Sequence, residues 1–121
     1  MKLLIDTNVV IDFLKQQEAS FDLQSLLLEH DCFTSIIVKL ELLKSSLTAE
    51  EEQNINDFLQ LLPVIPLNEA IENETILLSR STKLKLPDAI IGATAIVYDA
   101  DIVTRDSHFI KCQYAKLRTM N

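Results

Sequence analysis

Apolar residues fall in short blocks along the chain, and the first of them, Leu3-Leu4-Ile5, stops abruptly at an acid, Asp6. A run without strict alternation predicts a strand covered on both faces, as in a parallel sheet. From there "VVIDFLKQQ" is expected to be helical, with Thr7 or Asn8 as its cap. A second amphipathic helix is expected around "DLQSLLLEH", where Leu23, Leu26 and Leu27 face away from Glu29. "CFTS" predicts a strand leading into a cap at Thr34 or Ser35, followed by a helix over "IIVKLELLKSSL". Thr48 then caps "TAEEEQNINDFLQLL", whose three acids suit the positive end of a helix dipole, and Pro63 closes it. "VIPL" is a brief strand, and "NEAIENETILLSRSTKL" is a helix with a polar cap at Asn68. Pro87 suits the first turn of the apolar helix "LPDAIIGATAIVYDA". The chain then offers "DIVT" as a strand, "RDSHF" as a turn and "YAKLRTM" as an edge strand.

Short strands alternating with longer helices predict an α/β domain with a mainly parallel sheet and helices on both faces. At 121 residues one domain spanning 1–121 is expected. A 48% apolar fraction with a single glycine argues for packed regular structure. Cys32 and Cys112 are too few for a disulfide framework and read as free thiols, which fits a reducing compartment. The first apolar run lacks the features of a signal peptide, and no stretch approaches the ~20 residues of a membrane span. The expectation is a cytoplasmic protein without membrane attachment.

Charge is divided unevenly. Residues 1–79 carry four Lys/Arg against fourteen Asp/Glu, net −10, whereas residues 80–121 carry seven against four, net +3. An acidic chain is a poor general binder of polyanions, because such affinity comes from cationic contacts that release counterions. The basic residues of the last third, among them Arg80, Lys83, Lys85, Arg105 and Lys111, can still form a local face for RNA, or simply a solvated surface.

Parallel sheets place their sites at the carboxyl ends of strands. Asp6 ends the first strand, and Asp106 follows the last parallel one by two residues, so the two can meet at one edge. Each acid also has a plainer reading. Asp6 can be a turn former, although Thr7 and Asn8 already offer capping groups. Glu41 is either a rim carboxylate paired with Lys39 or Lys44 or a metal ligand. Asp88 suits the first turn of a helix, and Asp106 suits a turn. Asp12 reads as a solvated helix position, Asp99 and Asp101 as turn residues, and neither His30 nor His108 is given a role.

Taken together, "LLIDTN", the glutamate of "SIIVKLELL", "LPDAIIGATA" and "IVTRDSHF" resemble the PIN domain, most closely its VapC-like toxin ribonucleases. The resemblance spans nearly the whole chain. It implies a three-layer α/β/α sandwich and a metal-dependent endoribonuclease leaving 5′-phosphate and 3′-hydroxyl ends. The family's acidic quartet falls on Asp6, Glu41, Asp88 and Asp106. Thr7 and Asn8 match the polar pair after the first acid, and Thr104 matches the threonine before the last; these would orient carboxylates or phosphate. Two departures stand out: Gly92 where the family often has alanine, and Asp101 where a smaller or apolar residue is common. Hard oxygen donors suit Mg²⁺ or Mn²⁺, as one or two ions. The resemblance further implies a homodimer and a VapB-like antitoxin as partner. The alternatives are a catalytically silent PIN-like module that binds RNA or protein and, less well matched, a phospho-receiver domain, which would want adjacent acids where this chain has one.

Overall fold

In the computed structural model, which describes residues 1–16, 21–45 and 47–120, four strands form one parallel sheet in the order β3-β2-β1-β4. β1 (Lys2–Ile5) lies at the centre, flanked by β2 (Asp31–Ser35) and β4 (Asp101–Val103), while β3 (Val64–Ile65) extends β2 at the far edge. Leu4 is in register with Phe33 on one side and Ile102 on the other. Leu3, Leu4 and Ile5 are fully buried, as an apolar run between two layers of helices requires.

Connections from β1 to β3 run through α1 (Thr7–Leu14), α2 (Leu23–Glu29), α3 (Ile36–Leu43) and α4 (Ala49–Leu59). The chain then crosses by α5 (Glu69–Ser81) and α6 (Leu86–Val97) to β4 on the other side of β1. Right-handed crossovers in opposite directions place these two sets of helices on opposite faces, giving the α/β/α sandwich. The winding direction reverses between β1 and β4, and a crevice opens at the carboxyl ends of strands at such a switch point. Among the described residues no helix is long and apolar enough to cross a membrane.

Several local expectations need correction. Asp6, not Thr7 or Asn8, is the N-cap of α1, its Oδ1 accepting the Thr7 N–H at 2.8 Å. Only Asp6 separates the strand from the first helical residue, so its side chain is placed to take the orphan donor. α1 ends at Leu14, and Gln16 adopts φ 54°, a left-handed conformation that stops a helix. α3 ends at Leu43, before the serines, which compete for the backbone outside helices. Gln17 and Ser46, both included in the expected helices, lie outside the described residues. α5 stops at Ser81 because Thr82 turns extended and its hydroxyl donates to the Leu78 carbonyl. "RDSHF" contains a short helix, α7 (Ser107–Ile110), capped by Asp106. The expected edge strand over "YAKLRTM" reduces to one parallel bridge, Ile102 with Thr119. The Leu117 N–H donates back to Tyr114, closing a turn within that stretch, and β4 is only three residues long.

Other elements follow the pattern. Thr48 and Glu51 form a reciprocal capping box on α4, Asn68 caps α5 through the Ile71 N–H, and Ser35 caps α3. Both departures from the family pattern have a local cause. A Cβ at Gly92 would stand 2.9 Å from Leu78 Cδ2 and 3.2 Å from Leu117 Cδ1, so glycine lets α6 sit close to its neighbours. Asp101 takes the Arg118 guanidinium at 2.7 Å, and Asp99 takes it at 3.0 Å, fastening the C-terminal segment beside β4.

Candidate active site

Asp6 stands between β1 and α1 and is only 4% exposed. Burying a carboxylate is costly unless its lone pairs are occupied. Here Oδ1 accepts from the Thr7 N–H, and Oδ2 accepts from the Thr104 hydroxyl at 2.7 Å and from Asn8 Nδ2 at 3.4 Å. Thr104 follows β4 directly, so the adjacency of β1 and β4 brings a residue 98 positions away onto the first acid. The same hydroxyl oxygen accepts the Asp106 N–H at 2.9 Å. The loop carrying the last acid is therefore anchored to the first one.

The other two acids arrive on helices. Glu41, on α3, accepts the Thr7 hydroxyl at 2.9 Å rather than pairing with Lys39 or Lys44. Asp88 lies in the first turn of α6, behind Pro87. Asp106 caps α7, its Oδ1 accepting the His108 N–H at 2.9 Å.

Electrostatics ties the four together. Asp6 is pushed up from 3.8 to about 6, chiefly by burial, with the charges of Asp88 and Glu41 adding and the hydrogen bonds from Thr104 and Thr7 opposing. The Asp88 carboxyl is also raised, first by burial and then by Asp106 and Glu41, while His108 and Lys85 pull it down. Glu41 and Asp88 act on Asp6, and Asp106 and Glu41 act on Asp88, so all four acids share one local field. Carboxylates crowded in this way create a negative field that attracts cations.

The remaining expected residues divide. Lys83, Lys85 and Lys111 line a cleft of about 620 Å³ together with Asp88, Ser107 and His108. Arg80 is exposed in the last turn of α5. Arg105 is committed elsewhere: its Nε and Nη2 grip the two oxygens of Asp12 at 2.8 and 3.0 Å. Asp12 is 4% exposed, not solvated, and the guanidinium holds its carboxyl below the usual range. The Arg105 N–H also donates to Asn8 Oδ1 at 3.3 Å, so this loop is fastened to α1 at two points.

His108 is the residue that sequence reasoning passed over. One ligand atom from each of Asp88, Asp106 and His108 lies within 4.8 Å of the others. The signal was its place two residues after an acid at a helix start, where the cap turns the side chain back toward the carboxylate.

The family model described as the PIN domain matches residues 3–113. Among solved structures, a VapBC2 from Rickettsia felis bound to a DNA fragment of its promoter superimposes with a TM-score of 0.84 at 20% identity, covering 100% of this chain and 98% of that one. A toxin–antitoxin complex from Klebsiella pneumoniae gives 0.79 at 27% identity, covering 98% and 97%. FitAcB from Neisseria gonorrhoeae gives 0.77 at 25% identity, covering 100% and 97%. No curated protein matches the chain significantly.

Proposed function

The chain belongs to the PIN domain family, and from that premise we propose that it is a metal-dependent endoribonuclease, a single nuclease domain acting as the toxin of a toxin–antitoxin pair. The observation that supports the reading is the mutual influence of the four acids, Asp88 and Glu41 acting with burial to push Asp6 up to about 6, and Asp106 and Glu41 raising Asp88. Holding such a group charged at neutral pH is unfavourable without a cation beside it.

The donor set fits a hard divalent ion. Carboxylate oxygens open to a cleft suit Mg²⁺ or Mn²⁺, which bind through a few carboxylates and keep coordination positions for water and phosphate. Asp6, Glu41, Asp88 and Asp106 would hold one or two such ions. When bound, the ion supplies Lewis acidity toward a phosphate oxygen and lowers the pKa of the attacking water.

The chain's own residues set the geometry. Thr104 and Asn8 fix Asp6 from one side, and Thr7 fixes both Asp6, by its N–H, and Glu41, by its hydroxyl. Such partners orient ligating carboxylates and keep them from collapsing onto one another. Lys83, Lys85 and Lys111 give the adjoining cleft positive charge that draws a phosphodiester backbone toward the acids. Arg105, engaged by Asp12, serves to hold the loop between Thr104 and Asp106 rather than to meet RNA. Hydrolysis then leaves 5′-phosphate and 3′-hydroxyl ends.

Complexes of a toxin with an antitoxin among the similar structures support a VapB-like antitoxin as this chain's partner. A homodimer is the assembly we propose for the toxin itself. The test of the catalytic reading is cleavage of a fluorogenic RNA by antitoxin-free protein with Mg²⁺ or Mn²⁺. Asp6→Asn, Glu41→Gln, Asp88→Asn and Asp106→Asn should each fold and each lose cutting. A folded Asp6→Asn variant with full metal-dependent activity would overturn it.

A further inference from the structure

Ligand atoms of Asp88, Asp106 and His108 lie within 4.8 Å of one another, and Asp88 and His108 also line the cleft that holds Lys83, Lys85 and Lys111. His108 Nδ1 lies 3.3 Å from Asp106 Oδ1, although 72% of the imidazole is exposed. Its backbone N–H donates to the same carboxylate oxygen. The imidazole thus lies beside both acids and lines the open cleft. Nothing in the fold's core needs a histidine here. The other two acids are tied up differently, Asp6 by Thr104 and Thr7 and Glu41 by Thr7. Only the group with Asp88 and Asp106 includes an imidazole nitrogen, that of His108.

Resting on the metal-dependent reading above, we propose that His108 is itself a ligand, forming with Asp88 and Asp106 a mixed nitrogen–oxygen seat that selects Mn²⁺ over Mg²⁺. The chemistry of the donors carries the selection. Mg²⁺ prefers oxygen ligands and gives up its waters reluctantly, whereas an imidazole nitrogen suits first-row transition ions. A seat made of carboxylates alone has no comparable means of telling the two ions apart. If His108 serves only as an ion-pair partner of Asp106, it contributes nothing to the choice of ion.

The experiment uses untagged full-length protein freed of metal, with Mn²⁺ and Mg²⁺ titrated separately and nitrogen coupling to bound Mn²⁺ read by pulsed electron paramagnetic resonance. The chain has only two histidines, and His30 precedes β2 at the opposite end of the sheet, so His30→Ala is the internal control. We expect histidine nitrogen coupling in the wild type and in His30→Ala and its loss in His108→Ala. Mn²⁺ affinity should fall at least about tenfold in His108→Ala, the scale on which even residues supporting a metal ligand count. Mg²⁺ affinity should change by less than about twofold, since that ion gains little from imidazole. Absence of nitrogen coupling in Mn²⁺-loaded wild type, or an equal loss of both ions in His108→Ala, overturns the assignment. These outcomes are separable from failure of the nuclease reading. Nitrogen coupling without RNA cleavage removes the nuclease and keeps the seat, cleavage without coupling does the reverse, and binding of neither Mn²⁺ nor Mg²⁺ removes both.

Discussion

Replacing Asp6 with asparagine should make the metal-free protein more stable at neutral pH while weakening its response to Mg²⁺. The folded carboxyl sits at about 6 against 3.8 for an ordinary aspartate. At 1.36 kcal/mol per pH unit, that gap corresponds to about 3 kcal/mol of destabilisation once the group is charged in both states. The sign follows from proton binding. Between 3.8 and about 6 the folded state holds a proton that the unfolded chain has released, so stability declines as pH rises through that window and the full penalty stands above it. Asparagine carries no charge to bury. It keeps an acceptor for the Thr7 N–H and can donate to the Thr104 hydroxyl, but it offers Asn8 no acceptor in place of Oδ2. The net gain is thus about 1–3 kcal/mol near pH 7.5, falling toward zero near pH 4. Urea unfolding in EDTA at the two pH values measures it. With Mg²⁺ at one hundred times its wild-type Kd, wild type should gain about 2.7 kcal/mol and the variant clearly less. A metal-free Asp6→Asn protein less stable than wild type at neutral pH, or a difference that does not change with pH, would refute the reasoning.

Four further outcomes follow from the same geometry. Thr104→Val leaves Asp6 Oδ2 and the Asp106 N–H without their shared partner, which should cost about 1–3 kcal/mol in urea unfolding and reduce cleavage. Arg105→Ala should lower the urea midpoint more than Asp12→Ala, because it strands a buried carboxylate, whereas the second change only frees a half-exposed guanidinium. Charge reversal of Lys83, Lys85 and Lys111 together should weaken RNA binding and flatten its salt dependence; an unchanged slope would mean that the cleft is not the path of the RNA. Gly92→Val forces side-chain atoms into Leu78 and Leu117 and should cost about 1–3 kcal/mol by overpacking, read as a shift in the thermal midpoint.

What the sequence reveals of this protein is what short-range chemistry encodes. The buried run at Leu3–Ile5, the capping box at Thr48 and Glu51, and the Asn68 cap are local patterns, and each forms the expected element. Parallel strands alternating with helices then place the ends of β1 and β4 side by side, so Asp6 and Thr104 meet although no local signal joins them. What escapes such a reading depends on contacts between distant positions. Asp12 looks like a solvated helix residue until Arg105, 93 positions later, folds onto it. His108 gains meaning only when α7 replaces the expected turn and α6 brings Asp88 beside it. The C-terminal stretch has the composition of a strand, yet its own turn and the shortness of β4 leave it one bridge.

The appearance of new RNA ends tests the metal-dependent nuclease most directly. Mixed cellular RNA incubated with antitoxin-free protein and Mg²⁺ or Mn²⁺, then sequenced at its ends, should show discrete cuts bearing 5′-phosphates that vanish with EDTA and with Asp6→Asn. Folded, metal-loaded wild type that leaves the RNA intact, or cuts that persist in the chelated or Asp6→Asn samples, would contradict a metal-dependent nuclease centred on these four acids.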